Sequence, residues 1–140
     1  MKRTARTART AVPALVVTGL VLALGACSAA AEKAVDQVDK SVNETYEITY
    51  EVTGKGIESI EYHAGGGTAM KPELASEKKP VTPWKKTVTL KGLMPPAVMP
   101  VSLDPTDLTC KVLHDGKVIK EARGERAMAG GCVAVSPVAG

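Results

Sequence analysis

Residues 46–53, with the sequence YEITYEVT, alternate between apolar and polar side chains, and this alternation constrains the fold more than any other feature of the chain. Successive side chains of a β-strand point to opposite faces, so a period of two predicts a strand with one face on a core. Residues 54–56, GKG, predict a turn, and residues 57–63 predict a second strand. The simplest pairing of these two strands is a hairpin.

Two further stretches predict strands at the edges of sheets. Residues 84–90 have one apolar face, and Lys86 on that face requires an edge position. Residues 97–103 contain Pro100, and proline cannot donate a hydrogen bond to a β-ladder, so this strand is also expected at an edge.

Residues 108–124, LTCKVLHDGKVIKEARG, predict a hairpin with the two-residue loop Asp115-Gly116. An Asp-Gly loop favours a type I′ turn, in which both central residues have positive φ. The loop sets a register with two expected cross-strand pairs, Val112 with Ile119 and Leu113 with Val118. Residues 132–135 follow two glycines and predict a last, short strand.

Residues 64–82 are expected to form a flexible connection. They begin near three glycines, but a phosphate-binding loop would need a helix to start directly after them, and prolines follow instead. The whole pattern is about seven antiparallel strands, with turn signals every eight to twelve residues or so and no helix. For 140 residues, which allow one domain, this predicts an all-β fold, a small immunoglobulin-like β-sandwich.

The amino terminus has the layout of an export signal. Its first nine residues contain four basic side chains and no acidic one, and residues 10–31 are uncharged. The tetrapeptide LGAC at residues 24–27 resembles the bacterial lipobox, in which the signal is cut before the cysteine and the thiol receives a diacylglyceryl group. This predicts lipidation at Cys27. The uncharged stretch is also long enough for a bilayer, so an uncleaved transmembrane anchor is the competing interpretation.

These boundaries predict four segments: a signal peptide in residues 1–26, a lipidated flexible tether in 27–45, the sandwich in 46–136 and a tail in 137–140. The signal holds four of the 18 basic residues and none of the 15 acidic ones, so the net charge of +3 becomes −1 after cleavage. A near-neutral domain is not suited to binding nucleic acid. The expected location is the extracytoplasmic face of the cell membrane, attached through lipid.

Two cysteines remain for the folded domain, Cys110 on the predicted hairpin and Cys132 on the last strand. In an exported domain such a pair most simply forms a disulfide. The alternative is a metal site made by both cysteines with His63 and His114, although the short paired spacing of zinc sites is missing.

Four stretches resemble the MmpS family of small actinobacterial proteins: YEVTG at residues 50–54, PW at 83–84, the hairpin TCKVLHDGKVIKEARG at 109–124, and CV at 132–133. The likeness covers roughly residues 46–136. It implies a small β-sandwich that is not an enzyme and that assists MmpL transporters, of the resistance-nodulation-division class, in exporting lipids or siderophores. It also implies that Cys110 and Cys132 match the family's paired cysteines. Members usually carry an amino-terminal transmembrane helix, which a lipobox replaces here.

The sequence offers no nucleophile beside a base, so we expect neither catalysis nor a cofactor, and both histidines are expected to be solvated strand-end residues. A candidate partner surface is the proline-rich edge that carries Leu93, Met94, Val98 and Met99. The alternative is that Met94 and Met99 fill the end of the sandwich. Two functions follow: an accessory lipoprotein for a membrane exporter, or a free-standing envelope lipoprotein with a ligand or a structural role.

Overall fold

The computed structural model describes residues 23–139, with side chains from Glu32 onward. In this part of the chain two helices, α1 (Ala23–Asn43) and α2 (Glu125–Gly130), accompany eight β-strands. The strands are β1 (Thr45–Thr53), β2 (Ile57–Gly67), β3 (Pro72–Lys78), β4 (Trp84–Lys91), β5 (Ala97–Ser102), β6 (Thr109–His114), β7 (Lys117–Arg123) and β8 (Cys132–Val133). Residues 1–22 of the predicted signal peptide lie outside the described residues.

The described strands form two antiparallel sheets that share one core. Sheet 1 has the strand order β4-β1-β6-β7, and sheet 2 has the order β3-β2-β5-β8. The inward-pointing side chains of both sheets belong to the same buried cluster. The all-β sandwich predicted from the sequence is therefore confirmed, with one strand more than expected.

The predicted hairpin between residues 46–53 and 57–63 is wrong, although both strands exist. β1 pairs with β4 and β6, whereas β2 pairs with β3 and β5. The intervening turn is held on sheet 2, because the Ser102 hydroxyl donates to the Lys55 carbonyl at 2.8 Å and the Leu103 N–H donates to the Gly56 carbonyl at 3.0 Å. The turn thus carries the chain from one sheet to the other.

The alternation that begins the domain is confirmed by burial. Tyr46, Ile48, Tyr50 and Val52 are each at most 6% exposed. The Tyr62 ring packs between two other aromatic rings, with its centroid 6.0 Å from that of Tyr50 and 5.3 Å from that of Trp84. The chain contains no phenylalanine, so this series supplies much of the large aromatic surface in the core.

Residues 64–82 are not the flexible connection that their glycines and prolines predicted. β2 continues to Gly67, and β3 pairs with it antiparallel, with an irregularity between His63 and Gly67. Gly65 has φ +98°, and a Cβ there would lie 2.3 Å from the Thr89 carbonyl oxygen. This glycine therefore permits the backbone of β2 to approach that of β4, instead of loosening the chain.

The hairpin of β6 and β7 has the predicted two-residue turn, with φ of 51° at Asp115 and 73° at Gly116. Leu113 pairs with Val118 as expected. The second predicted pair is wrong, because Val112 faces Lys120. An extra residue on β7 shifts the register here, and such β-bulges are not visible in a simple alternation.

The two edge predictions have different outcomes. β4 is an edge strand of sheet 1, and its Lys86 is exposed as required. β5 pairs with β2 on one side and, at Ala97 and Val98, with β8 on the other. The prediction is therefore wrong for these two residues, and within the described chain β5 lies at an edge from Met99 onward.

The segment predicted as a flexible tether is helical from Ala23 to Asn43. Near its end, the Ser41 hydroxyl donates to the Gln37 carbonyl at 2.9 Å, one turn earlier. Val38 and Val42 are 60% and 45% exposed, so their burial does not explain this helix. Neither described helix is both long and apolar enough to cross a membrane.

Candidate partner surface

Of the four residues predicted as a partner surface, two are accessible and two are buried. Leu93 is 46% exposed and Met99 is half-buried, but Met94 and Val98 are only 2% and 0% exposed. The prediction that Met94 and Val98 are accessible parts of a partner surface is therefore wrong. Both side chains belong to the core, and for Met94 the structure favours the alternative that it fills the end of the sandwich.

An apolar pocket of about 260 Å³ lies where Leu93 is exposed, and we call it the end pocket. The lining residues come from the end of α1, the end of β2 with the turn after it, and the end of β4 with the β4–β5 connection: Val42, Gly67, Thr68, Ala69, Lys91, Leu93 and Met94. This lining is mostly apolar and contains one cation and no acid. It suits an apolar side chain or a lipid acyl group.

Backbone hydrogen bonds fix the walls of the end pocket. The Gly92 N–H donates to the Glu44 carbonyl at 2.7 Å, which joins the β4–β5 connection to the residue after α1. Across the turn between β2 and β3, Thr68 and Lys71 exchange N–H to carbonyl bonds of 3.0 and 3.1 Å. This turn exposes 95% of Met70 beside the pocket wall. Backbone hydrogen bonds thus hold the walls of the pocket, and an exposed methionine follows the lining residue Ala69 in the chain.

Buried polar groups support the pocket floor from inside the domain. The Tyr46 hydroxyl donates to the Met94 carbonyl, and the Ser136 hydroxyl donates to the Gly92 carbonyl at 2.7 Å. Burial raises the pKa of Tyr46 above its ordinary value of about 10, so its hydroxyl keeps the donor proton in more alkaline solution than a free tyrosine does. The Met94 backbone is therefore held in place while its side chain closes the core.

Cys110 and Cys132 form the predicted disulfide. Their Cα atoms lie 6.0 Å apart, and both residues are fully buried. Cys110 belongs to β6 of sheet 1 and Cys132 to β8 of sheet 2, so the bond joins the two sheets covalently. Because both sulfur atoms are bonded to each other, the cysteines are not available as the thiolate ligands of the alternative metal site.

The two histidines have structural roles in the described part of the chain. His63 is only 6% exposed, so its prediction as a solvated residue is wrong, and its Nδ1 lies 2.5 Å from the Pro95 carbonyl oxygen. His114 contacts the Tyr46 ring edge-on, with centroids 6.1 Å apart. Within residues 23–139 no group of three or more potential ligands forms a metal site.

Cys27 lies in the helical span of α1, and its side chain is outside the described ones. The sequence did not predict Val42 or the turn at residues 68–71 as part of a surface. The helical spacing of the valines at 35, 38 and 42 is the one signal that indicates α1, and no local pattern indicates which strand turn lies beside it.

No protein-family model matches this chain, and no curated protein has a matching sequence.

Proposed function

We propose that this protein is a membrane-anchored extracytoplasmic accessory protein that assists an MmpL-type exporter of lipids or siderophores. The resemblance of residues 46–136 to the MmpS family motivates the proposal. The buried disulfide between Cys110 and Cys132 is the observation that carries it, because such bonds persist in oxidising compartments outside the cytoplasm. One of its two cysteines, Cys110, lies on the hairpin that is the most specific part of the resemblance.

The end pocket is the surface that we assign to the transporter. Leu93 lines the pocket and Met70 lies on the turn that forms one wall; both are accessible apolar side chains in irregular segments, and methionine adapts to different partner surfaces. Lys91 and Lys71 are exposed at the margin and favour a partner with acidic groups there. A small apolar centre with a polar rim is the usual anatomy of a protein interface.

The anchor is tested by mass spectrometry of the membrane-bound protein. We expect a chain that begins at Cys27 and carries the added mass of a diacylglyceryl group, since a thiol at a lipobox is modified before cleavage. On reduction the mass is expected to rise by that of two hydrogen atoms, from Cys110 and Cys132. A chain that retains residues 1–26 with a free thiol at Cys27 would contradict the lipid anchor and support a transmembrane one.

The partner surface is tested by isolating the tagged protein from native membranes and identifying a co-isolated MmpL-type transporter. Leu93→Glu is expected to reduce the recovered transporter by about tenfold or more, because it buries a charge in the contact. Leu103→Glu is the matched control, since Leu103 is 81% exposed at the other end of β5 and should leave recovery unchanged. If the unmodified protein recovers no transporter, the free-standing envelope lipoprotein is the better interpretation.

A further inference from the structure

The outer edge of sheet 1 at β7 has no neighbouring strand within residues 23–139. β7 pairs with β6 along one side, and the seven residues Lys117–Arg123 are exposed except for half-buried Ala122. Val118 and Ile119 are 48% and 40% exposed on this strand. An edge of this length with apolar side chains is a template for another strand.

The hairpin register shows which backbone groups on β7 are free. The Gly124 N–H donates to the Leu108 carbonyl at 2.7 Å, and in an antiparallel ladder the hydrogen-bonded pairs then alternate along the strands. Ala122 and Lys120 therefore bond to β6, facing Cys110 and Val112. Glu121 and Arg123 direct their N–H and carbonyl groups outward, away from β6.

A cleft of about 580 Å³ lies along this free edge. Its lining comes from β7, α2, Gly131 and β8: Lys120, Glu121, Ala122, Arg123, Arg126, Gly130, Gly131 and Val133. The cleft exists because β8 has two residues whereas β7 has seven, so sheet 2 ends early on this side. Gly130 and Gly131 place no side chains in it.

The cleft carries a positive charge, which favours an acidic occupant. Three of its lining side chains are basic, and the one acid, Glu121, accepts a 2.6 Å ion-pair contact from Arg123 Nε. Lys120 and Arg126 have no ion-pair partner in the described part of the chain. An incoming carboxylate would gain from both cations.

We propose that an extended, acidic segment of a partner protein adds to sheet 1 as a fifth strand beside β7. The outward N–H and carbonyl groups of Glu121 and Arg123 supply its backbone hydrogen bonds, and Lys120 and Arg126 bind its carboxylates. A free row of backbone donors and acceptors favours a peptide over a small anion, because a small anion uses only the cations. The cleft is separate from the end pocket, so this interaction does not depend on the transporter contact.

The probe is a fluorescein-labelled synthetic peptide, TEVEVEVT, titrated against the full chain in detergent and followed by fluorescence anisotropy. We expect binding that weakens as the ionic strength rises, and no binding of the counterpart TKVKVKVT. Arg126→Glu is expected to weaken binding by about tenfold or more. Lys86→Glu, on the opposite edge strand β4, is the matched control and should leave the affinity unchanged. Equal affinity for both peptides would overturn the proposal.

Strand addition is separated from simple anion binding by Glu121→Pro, which removes an outward N–H but no bond to β6. This variant should fold and lose the peptide, because proline is tolerated at a strand edge. In the unmodified protein, the peptide should slow hydrogen exchange at the amides of Glu121 and Arg123. If these amides exchange at the same rate with and without peptide, the strand proposal is wrong, whatever the variant does.

Discussion

Replacing Cys110 and Cys132 together by alanine is expected to lower the free energy of unfolding by about 3 kcal/mol. The bond closes a loop with a sequence separation of 22 residues, and a loop of this size restricts the unfolded chain by roughly that amount. For a domain of this size the melting temperature should fall by about 12–24 °C, as measured by circular dichroism. The shift in melting temperature is large because a small domain has a small entropy of unfolding.

Reductant provides the matched control for this prediction. Reducing the unmodified protein should bring its melting temperature close to that of the alanine variant, whereas the same reductant should leave the variant unchanged. A melting temperature that is independent of reductant in the unmodified protein would contradict a stabilising bond between β6 and β8.

Tyr50→Phe is expected to cost about 2–6 kcal/mol of unfolding free energy. The Tyr50 hydroxyl lies in the core, donates to the His63 carbonyl at 3.0 Å and accepts from the Ala97 N–H at 3.3 Å. Removing it leaves two buried backbone groups without this partner, and each such group costs about 1–3 kcal/mol. Urea unfolding measures the loss. Tyr62→Phe is the control, since the Tyr62 hydroxyl has no hydrogen-bond partner among residues 23–139, and it should change stability by less than about 1 kcal/mol.

The same hydroxyl makes stability sensitive to alkali. Burial raises the pKa of Tyr50 above its ordinary value of about 10, so the folded state favours the neutral phenol. This contribution is fully present below pH about 10 and is lost as the pH rises further, because the unfolded chain then ionises first. The free energy of unfolding should be measured by urea at about pH 8 and about pH 11. It should fall less between these pH values for Tyr50→Phe than for the unmodified protein. An equal loss would contradict this assignment.

Local patterns were sufficient to predict much of sheet 1. The alternation in residues 46–53 and the Asp115-Gly116 turn each depend on neighbouring residues, and both are found as expected. The partner of β1 was not predictable, because a short turn with two glycines suits a hairpin and a change of sheet equally well. The structure shows the turn held on sheet 2 by Ser102, which lies 47 residues away from Lys55.

The candidate surface was less predictable than the fold. Met94 and Leu93 are adjacent apolar residues in one irregular segment, yet one is buried and the other exposed. What separates them is a set of contacts that are remote in sequence, such as the bond from Tyr46 to the Met94 carbonyl. The cleft beside β7 likewise exists because β8 is short. The length of β8 could not be predicted from the residues of β7.

The position of β1 has a mechanical consequence for a protein held at its amino terminus. The helix α1 leads directly into β1, and β1 is paired with β4 over Thr45–Val52 and with β6 over Ile48–Thr53. A pull transmitted through α1 is therefore applied to an interior strand, whose detachment must break two ladders together. An edge strand in this place would peel away along a single ladder. If the proposed anchor holds the protein at its amino terminus, the order of strands thus applies the load to an interior strand of sheet 1.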